Sequence, residues 1–302
     1  MPFSGRAFTL AVGDSFAAFI GAWDLLNPVS FLVYLGIAGY ATGLYRLQRR
    51  SRGQAVPLRS VFFAAAGLLL VTASMAGPLD VYAERAFWVH MAQHLVLAMF
   101  AAPLLLAASP VSVYLWALPE QVRLGLGASL AKRGALRRVG AFLVKPPVAL
   151  LAFILTFYIW HLPAAYGAAL ENGSVHFFEH LTMFASGVLF WWPIIGPAPM
   201  RSELSYPQRL LYLLLVVTPK ALLAAIITLS NHVLYPFYVD APDLWGISDA
   251  EDQKIAGLLM WLPGNFVFLG ALTVLFFKWY EKEEGSLSGP GARRRGGKDG
   301  HD

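Results

Sequence analysis

The 302-residue chain contains no cysteine. That excludes disulfides, thiolate zinc sites and paired-cysteine copper carriers together. Charge is scarce too: 14% of residues are charged and 57% hydrophobic, too little polar surface to solvate a globule of this size. Also missing is the strict apolar–polar alternation that a membrane barrel strand needs. What the chain has instead is long apolar runs. Seven stretches, near 27–45, 58–77, 86–108, 146–165, 175–195, 208–232 and 255–280, are of the roughly 20-residue length that crosses a ~30 Å hydrocarbon core as a helix. The expected fold is all-α, a polytopic membrane helical bundle of seven transmembrane helices.

Charge between the runs alternates. Arg46, Arg49, Arg50, Arg52 and Arg59 follow the first; Arg123, Lys132, Arg133, Arg137 and Arg138 follow the third; Arg201 and Arg209 follow the fifth. The intervening loops carry Asp80 and Glu84 with Arg85, then Glu171, then Asp240, Asp243, Asp249, Glu251 and Asp252 with Lys254. The positive-inside rule therefore puts the N-terminus outside and the C-terminus inside. A net charge of +5 then reflects topology and contact with an anionic lipid bilayer, not nucleic acid.

Residues 1–26 are expected to form an outer segment, with a short interfacial helix within 7–25. Arg6 is its only early cation and Asp14 and Asp24 interrupt its apolar run, so no cleavable-signal pattern is expected. The membrane domain is expected over 27–284. Within it, residues 112–140 mix Leu and Val with Arg and Lys as an amphipathic helix on the inner surface would. The Gly-rich, charged tail 285–302 is expected to be disordered, with His301 solvated.

Two stretches of the chain are near-copies: "VHMAQHLVLAMFA" from Val89 and "VHFFEHLTMFA" from Val175. Each holds two histidines four apart. On the topology above, His90, His94, His161, His176, His180 and His232 all fall at outer ends of spans. Residues i and i+4 share a helix face about 6 Å apart, so two imidazoles there can converge on one ion at about 2.0–2.1 Å per bond. Met183 continues the face of His176 and His180, and Met75, Met91 and Met260 also lie in outer halves. Imidazole with thioether suits Cu(I); imidazole with carboxylate suits zinc or iron. Gln93 and Glu179, each preceding the second histidine of a pair, are placed to orient ligands.

A lone membrane histidine is commonly a hydrogen-bonded packing residue, and a helical methionine is commonly a gap filler. That bland reading suits His232, beside a wet loop, and each methionine taken singly. It does not suit two histidine pairs. Lys220, next to Pro219 midway along the sixth run, should face the bundle interior. Ser248 and Glu251 read as a capping box opening the last helix. Asp252 and Gln253 either belong to that helix start or line the mouth of the histidine cluster. Trp261 reads as a packing aromatic beside it.

The segments "FWVHMAQHLVLAMFAAPLLLAASP", "YIWHLP", "SVHFFEHLTMFASGVLFWWPIIGP", "LYPFY" and "EDQKIAGLLMWLPG" resemble the CtaG family of bacterial cytochrome c oxidase assembly factors, from the first run to the seventh. The resemblance implies a multi-pass protein of the bacterial cytoplasmic membrane that matures haem-copper oxidases, not an enzyme. It singles out His90, His94, His161, His176 and His180, with Asp252, Gln253, Met260 and Trp261; His232 and Lys220 match no motif. Together these readings give an outer-leaflet site where His90, His94, His176 and His180 hold Cu(I), assisted by His161 and by Met183 or Met260. Copper would enter past the acidic loop 240–252 and pass to the oxidase catalytic subunit, with a periplasmic copper chaperone as candidate donor. Two alternatives stand beside it. "HFFEH" fits the H-x-x-E-H pattern of a zinc-dependent intramembrane hydrolase with Glu179 as base. A b-type haem carrier would need axial imidazoles from two facing helices.

Overall fold

Proline sets where the helices begin. Pro28, Pro78, Pro110, Pro146 and Pro163 each take the first position of a helix, where a missing N–H costs nothing and the fixed φ is already helical. The computed structural model describes residues 16–52, 56–131, 134–239 and 245–287, and among them no strand occurs. In chain order the helices are α1 (Phe16–Gly21), α2 (Pro28–Arg50), α3 (Leu58–Met75), α4 (Pro78–Ala83) and α5 (Phe87–Leu95). A π-helical turn, Val96–Ala101, joins α5 to α6 (Ala102–Ala107). Next come α7 (Pro110–Ala117), α8 (Glu120–Leu130), α9 (Ala135–Leu143), α10 (Pro146–Trp160), α11 (Pro163–Glu171), α12 (Gly173–Ile195) and α13 (Tyr206–Leu229). A 3-10 turn, Pro236–Tyr238, precedes α14 (Asp249–Leu287).

Among the described residues, four spans are long and apolar enough to cross a membrane: Leu58–Ala83, Phe87–Ala107, Tyr206–Leu229 and Asp249–Gly285. A fifth counts if α9 and α10, bent by 65°, are taken as one. The 23-residue α2 and α12 are about 34 Å long, sufficient in length to cross as well. Leu211, Leu214, Leu215, Leu222 and Ile226 form an exposed apolar stripe on α13, as a lipid-facing surface requires.

Several boundaries differ from the sequence reading. The outer helix sought within 7–25 is the six-residue α1, and residues 1–15 lie outside the described residues. The run expected over 146–165 stops at Trp160, because Pro163 keeps Leu162 out of helical conformation. The segment 112–140 is not one helix but falls across α7, α8 and α9; in α8 and α9 no residue is buried. The last helix runs to Leu287, past the expected end of the membrane domain, and 288–302 lie outside the described residues.

Packing brings α13 along α14, α10 along α12, and α5 against α14. One apolar cluster holds Phe87, Met91, Trp160, Tyr166, Met183, Tyr235, Tyr238 and Met260 near one end of the bundle. A second, with Phe153, Phe190, Trp191, Tyr212 and Phe268, lies between α6, α10, α12, α13 and α14. At the far end of α12, Arg209 donates to the Ile194 carbonyl (2.9 Å) and Arg137 to that of Pro199 (2.9 Å). Cations therefore gather about one helix length from the histidines at the start of α12.

Candidate metal centre

His90 and His94 sit on α5, whose own N-cap, Ala86, offers no side-chain acceptor. The first turn is capped from across the bundle. The Asp252 carboxylate of α14 accepts from Phe87 N (2.8 Å) and Trp88 N (2.7 Å), placing a negative group at a helix N-terminus. Gln93 faces the other way and donates to Ser74 O (2.6 Å) and Asp80 Oδ1 (3.2 Å), tying α5 to α3 and α4. Beyond His94 the helix widens into its π turn. Pro103 has no N–H to bond one turn back, and its ring crowds that carbonyl. Trp191 Nε1 donates to Ala98 O (3.0 Å) there.

His176, Glu179 and His180 come from the first two turns of α12, which Asn172 caps by accepting from Ser174 N (2.9 Å) and Val175 N (3.3 Å). Gly187 lets α12 approach the π turn closely: a Cβ there would lie 3.0 Å from the Ala98 Cα. The two histidine pairs meet at this crossing. Ring centres of His90 lie 5.2 Å from His176 and 5.3 Å from His180, and His94 lies 4.9 Å from His180. Nε2 atoms are 3.0 Å apart within the first pair and 2.8 Å within the second. Glu179 stands between, with Oε2 3.7 Å from His90 Nε2 and Oε1 3.7 Å from His94 Nε2. One ligand atom from each of His90, His176, Glu179 and His180 lies within 4.8 Å of the others. These four can hold one metal ion, with His94 against them.

The proton on His90 can be traced. Tyr238 Oη donates to the Ala83 carbonyl (2.9 Å), and burial pushes its hydroxyl well above the usual tyrosine range, so it stays protonated. Tyr166 Oη, 2.8 Å away, must then donate to Tyr238, and its own oxygen accepts from His90 Nδ1 at 2.8 Å. His90 Nε2 is left with its lone pair facing Glu179 and the other imidazoles. Such an outer hydrogen bond fixes the tautomer that a metal ligand needs.

Four atoms nearby are buried without any hydrogen-bond partner: both Glu179 oxygens, His94 Nδ1 and His180 Nδ1. A buried carboxylate with neither oxygen satisfied is expensive in a low dielectric. A bound cation removes that cost, and three imidazoles plus one carboxylate are a fitting donor set for it. The imidazoles touch ring to ring, which leaves no flat slot for a haem macrocycle between them.

The other residues singled out from sequence lie elsewhere. His161 caps α10, 6.5 Å ring to ring from His94. Met183 and Met260 line a neighbouring cavity, while Trp261 packs against the first apolar cluster. Gln253 secures the α13–α14 loop, accepting from Leu234 N (2.6 Å) and donating to His232 O (3.0 Å). The His232 side chain is exposed. Ser248 N donates to Glu251 Oε2 (3.0 Å), the reverse half of a capping box. Lys220 is buried, its ammonium bonded to the Met260 carbonyl and 5.7 Å from the Phe268 ring centre. Of the acidic loop 240–252, residues 240–244 lie outside the described residues. Sequence reasoning gave no role to Tyr166 or Tyr238, although the segment LYPFY that carries part of the resemblance ends on Tyr238.

A family model described as cytochrome c oxidase caa3 assembly factor (Caa3_CtaG) matches residues 38–282. Among curated proteins, an uncharacterized protein of Mycobacterium bovis is 28% identical over 251 residues, 81% of this chain and 37% of that protein. One of Mycobacterium leprae is 28% identical over 258 residues, 83% of this chain and 38% of that protein. The chain thus spans less than two fifths of the length of these relatives. No solved structure matches.

Proposed function

This chain belongs to the cytochrome c oxidase caa3 assembly factor family, and from that premise we propose that it supplies copper to the catalytic subunit of a haem-copper oxidase. Copper is cargo here, held at the group of His90, His176, Glu179 and His180 with His94 beside it. That group is the single observation that carries the reading. The protein lies in the bacterial cytoplasmic membrane with seven spans, N-terminus outside and C-terminus inside. The histidine end faces outward, and the arginines at the opposite end of α12 support that orientation.

Each residue has a defined task. Asp252 holds the first turn of α5, so His90 and His94 are presented at a fixed depth. The pair Tyr166 and Tyr238 keeps the proton of His90 on Nδ1 and its lone pair on Nε2. Glu179 supplies negative charge within reach of three imidazoles. Because imidazole is a weaker hold than thiolate, the shell can exchange ligands with a recipient. A periplasmic copper chaperone is the matching donor.

The test is oxidase maturation in a strain lacking this gene. Complementation with the wild-type chain should restore copper in the oxidase, and the His176→Gln/His180→Gln variant should not. Full copper occupancy with that variant would sink the reading. A zinc-dependent hydrolase is the second reading, favoured by the carboxylate among the donors. It requires Glu179 to act as base, and a Glu179→Gln variant that still matures oxidase argues against it.

A further inference from the structure

The sequence reading gathered Met183, Met260 and His161 around the histidine pairs. They instead line, together with Met91, Met99 and His94, a separate cavity of about 30 Å³. That is room for one body the size of a water molecule or an ion.

His161 shows how the cavity is set up. Its Nδ1 lies 2.6 Å from the Phe157 carbonyl oxygen, which only accepts, so Nδ1 carries the proton. The lone pair of the neutral ring is then on Nε2, which sits 3.3 Å from Met91 Sδ. A thioether has no hydrogen to give. Two electron-pair donors therefore face each other with nothing between them. That spacing suits two ligands of one ion: nitrogen at about 2.0 Å and sulfur at about 2.3 Å, roughly 100° apart, lie about 3.3 Å from each other. The Nδ1–H to carbonyl bond is the outer contact such a ligand uses. His94, in the wall shared with the histidine group, keeps a buried Nδ1 that has no partner.

Methionine clusters are usually packing, and packing alone accounts for Met99. It does not account for an imidazole lone pair held against a sulfur. Lys220 lines the same cavity. A fixed ammonium there opposes a divalent ion about twice as strongly as a monovalent one. We infer that this cavity is a second metal site, distinct from the His/Glu group, which takes a soft monovalent cation, Cu(I), on His161 Nε2 and Met91 Sδ with Met183 or Met260 completing the shell. The inference extends the copper reading above but rests on its own residues. Carboxylate and imidazoles then make the outer station and thioethers the inner one, with His94 touching both.

The experiment loads the purified full-length chain in nanodiscs with Ag(I), a redox-inert soft monovalent probe, and separately with Zn(II). Met91→Leu/Met183→Leu should lose one silver equivalent or weaken it at least tenfold while zinc binding stays unchanged. Leucine keeps the volume, so the fold should hold; Met91→Leu alone carries the test if the double variant does not fold. His176→Gln should do the reverse, weakening zinc and sparing that silver. X-ray absorption of the Cu(I)-loaded chain should show sulfur at about 2.3 Å, absent in the methionine variant. Silver binding that ignores the methionines, or a copper shell without sulfur in the wild type, overturns the second site. An oxidase that matures without this chain overturns copper delivery and leaves methionine-dependent silver binding standing.

Discussion

The Nδ1 proton of His90 goes to Tyr166 at 2.8 Å, with Tyr238 farther off at 3.5 Å, and Tyr166 leans in turn on Tyr238 and the Ala83 carbonyl. Tyr166→Phe removes that acceptor and frees the His90 ring to choose its other tautomer. Metal affinity at the His/Glu group should fall about 10-fold, in line with other outer-contact losses, with the fold unchanged. Isothermal titration with Zn(II) on the variant checks this, and unchanged affinity refutes the role given to Tyr166. The histidines themselves were legible, because i, i+4 spacing on a helix is a geometric statement. The tyrosines were not. They reach the site from α11 and the 3-10 turn, 76 and 148 residues away from His90, and no local period encodes such a contact.

Helix α5 takes its cap from another helix. Its first turn has no cap of its own, and Asp252 takes both orphan N–H groups at 2.7–2.8 Å. Asp252→Ala should destabilise the protein by roughly 2 kcal/mol, since one buried and one part-buried donor lose a charged acceptor. Thermal unfolding in detergent measures it, and a change under about 0.5 kcal/mol would mean α5 is held otherwise. Gly187 makes the second demand. A side chain there must push α12 away from Ala98, so Gly187→Val should separate the two histidine pairs and weaken metal binding more than stability. Zinc titration beside thermal unfolding distinguishes the two effects. Helix starts were readable from proline, whereas the break after His161 and the π turn needed Pro163 and Pro103 weighed against the apolar run around them. Sequence alone left two roles open for Asp252, start of the last helix or site mouth; its contact with the first turn of α5, across the bundle, is a third that no local pattern encodes.

For the whole molecule, apolar runs and alternating basic loops made the helical membrane bundle plain at once. The number of spans is harder to read, because polar residues interrupt the apolar runs of α2 and α12, which are not among the four strongest spans. In α12 those include the metal-binding candidates themselves, so the functional residues dilute the very signal that marks a span. The absence of cysteine makes topology directly measurable. In intact cells, Glu171→Cys should react with a membrane-impermeant maleimide and Arg123→Cys should not; the opposite pattern would invert the orientation. We propose that the crossing of α5 and α12 builds a copper-holding group. Elemental analysis of the purified chain after anaerobic Cu(I) loading and, separately, Zn(II) loading, wild type beside His90→Ala/His94→Ala, tests this. Copper retained by the wild type and lost from the variant is the predicted result; stoichiometric zinc with little copper, or no metal at all, would contradict it.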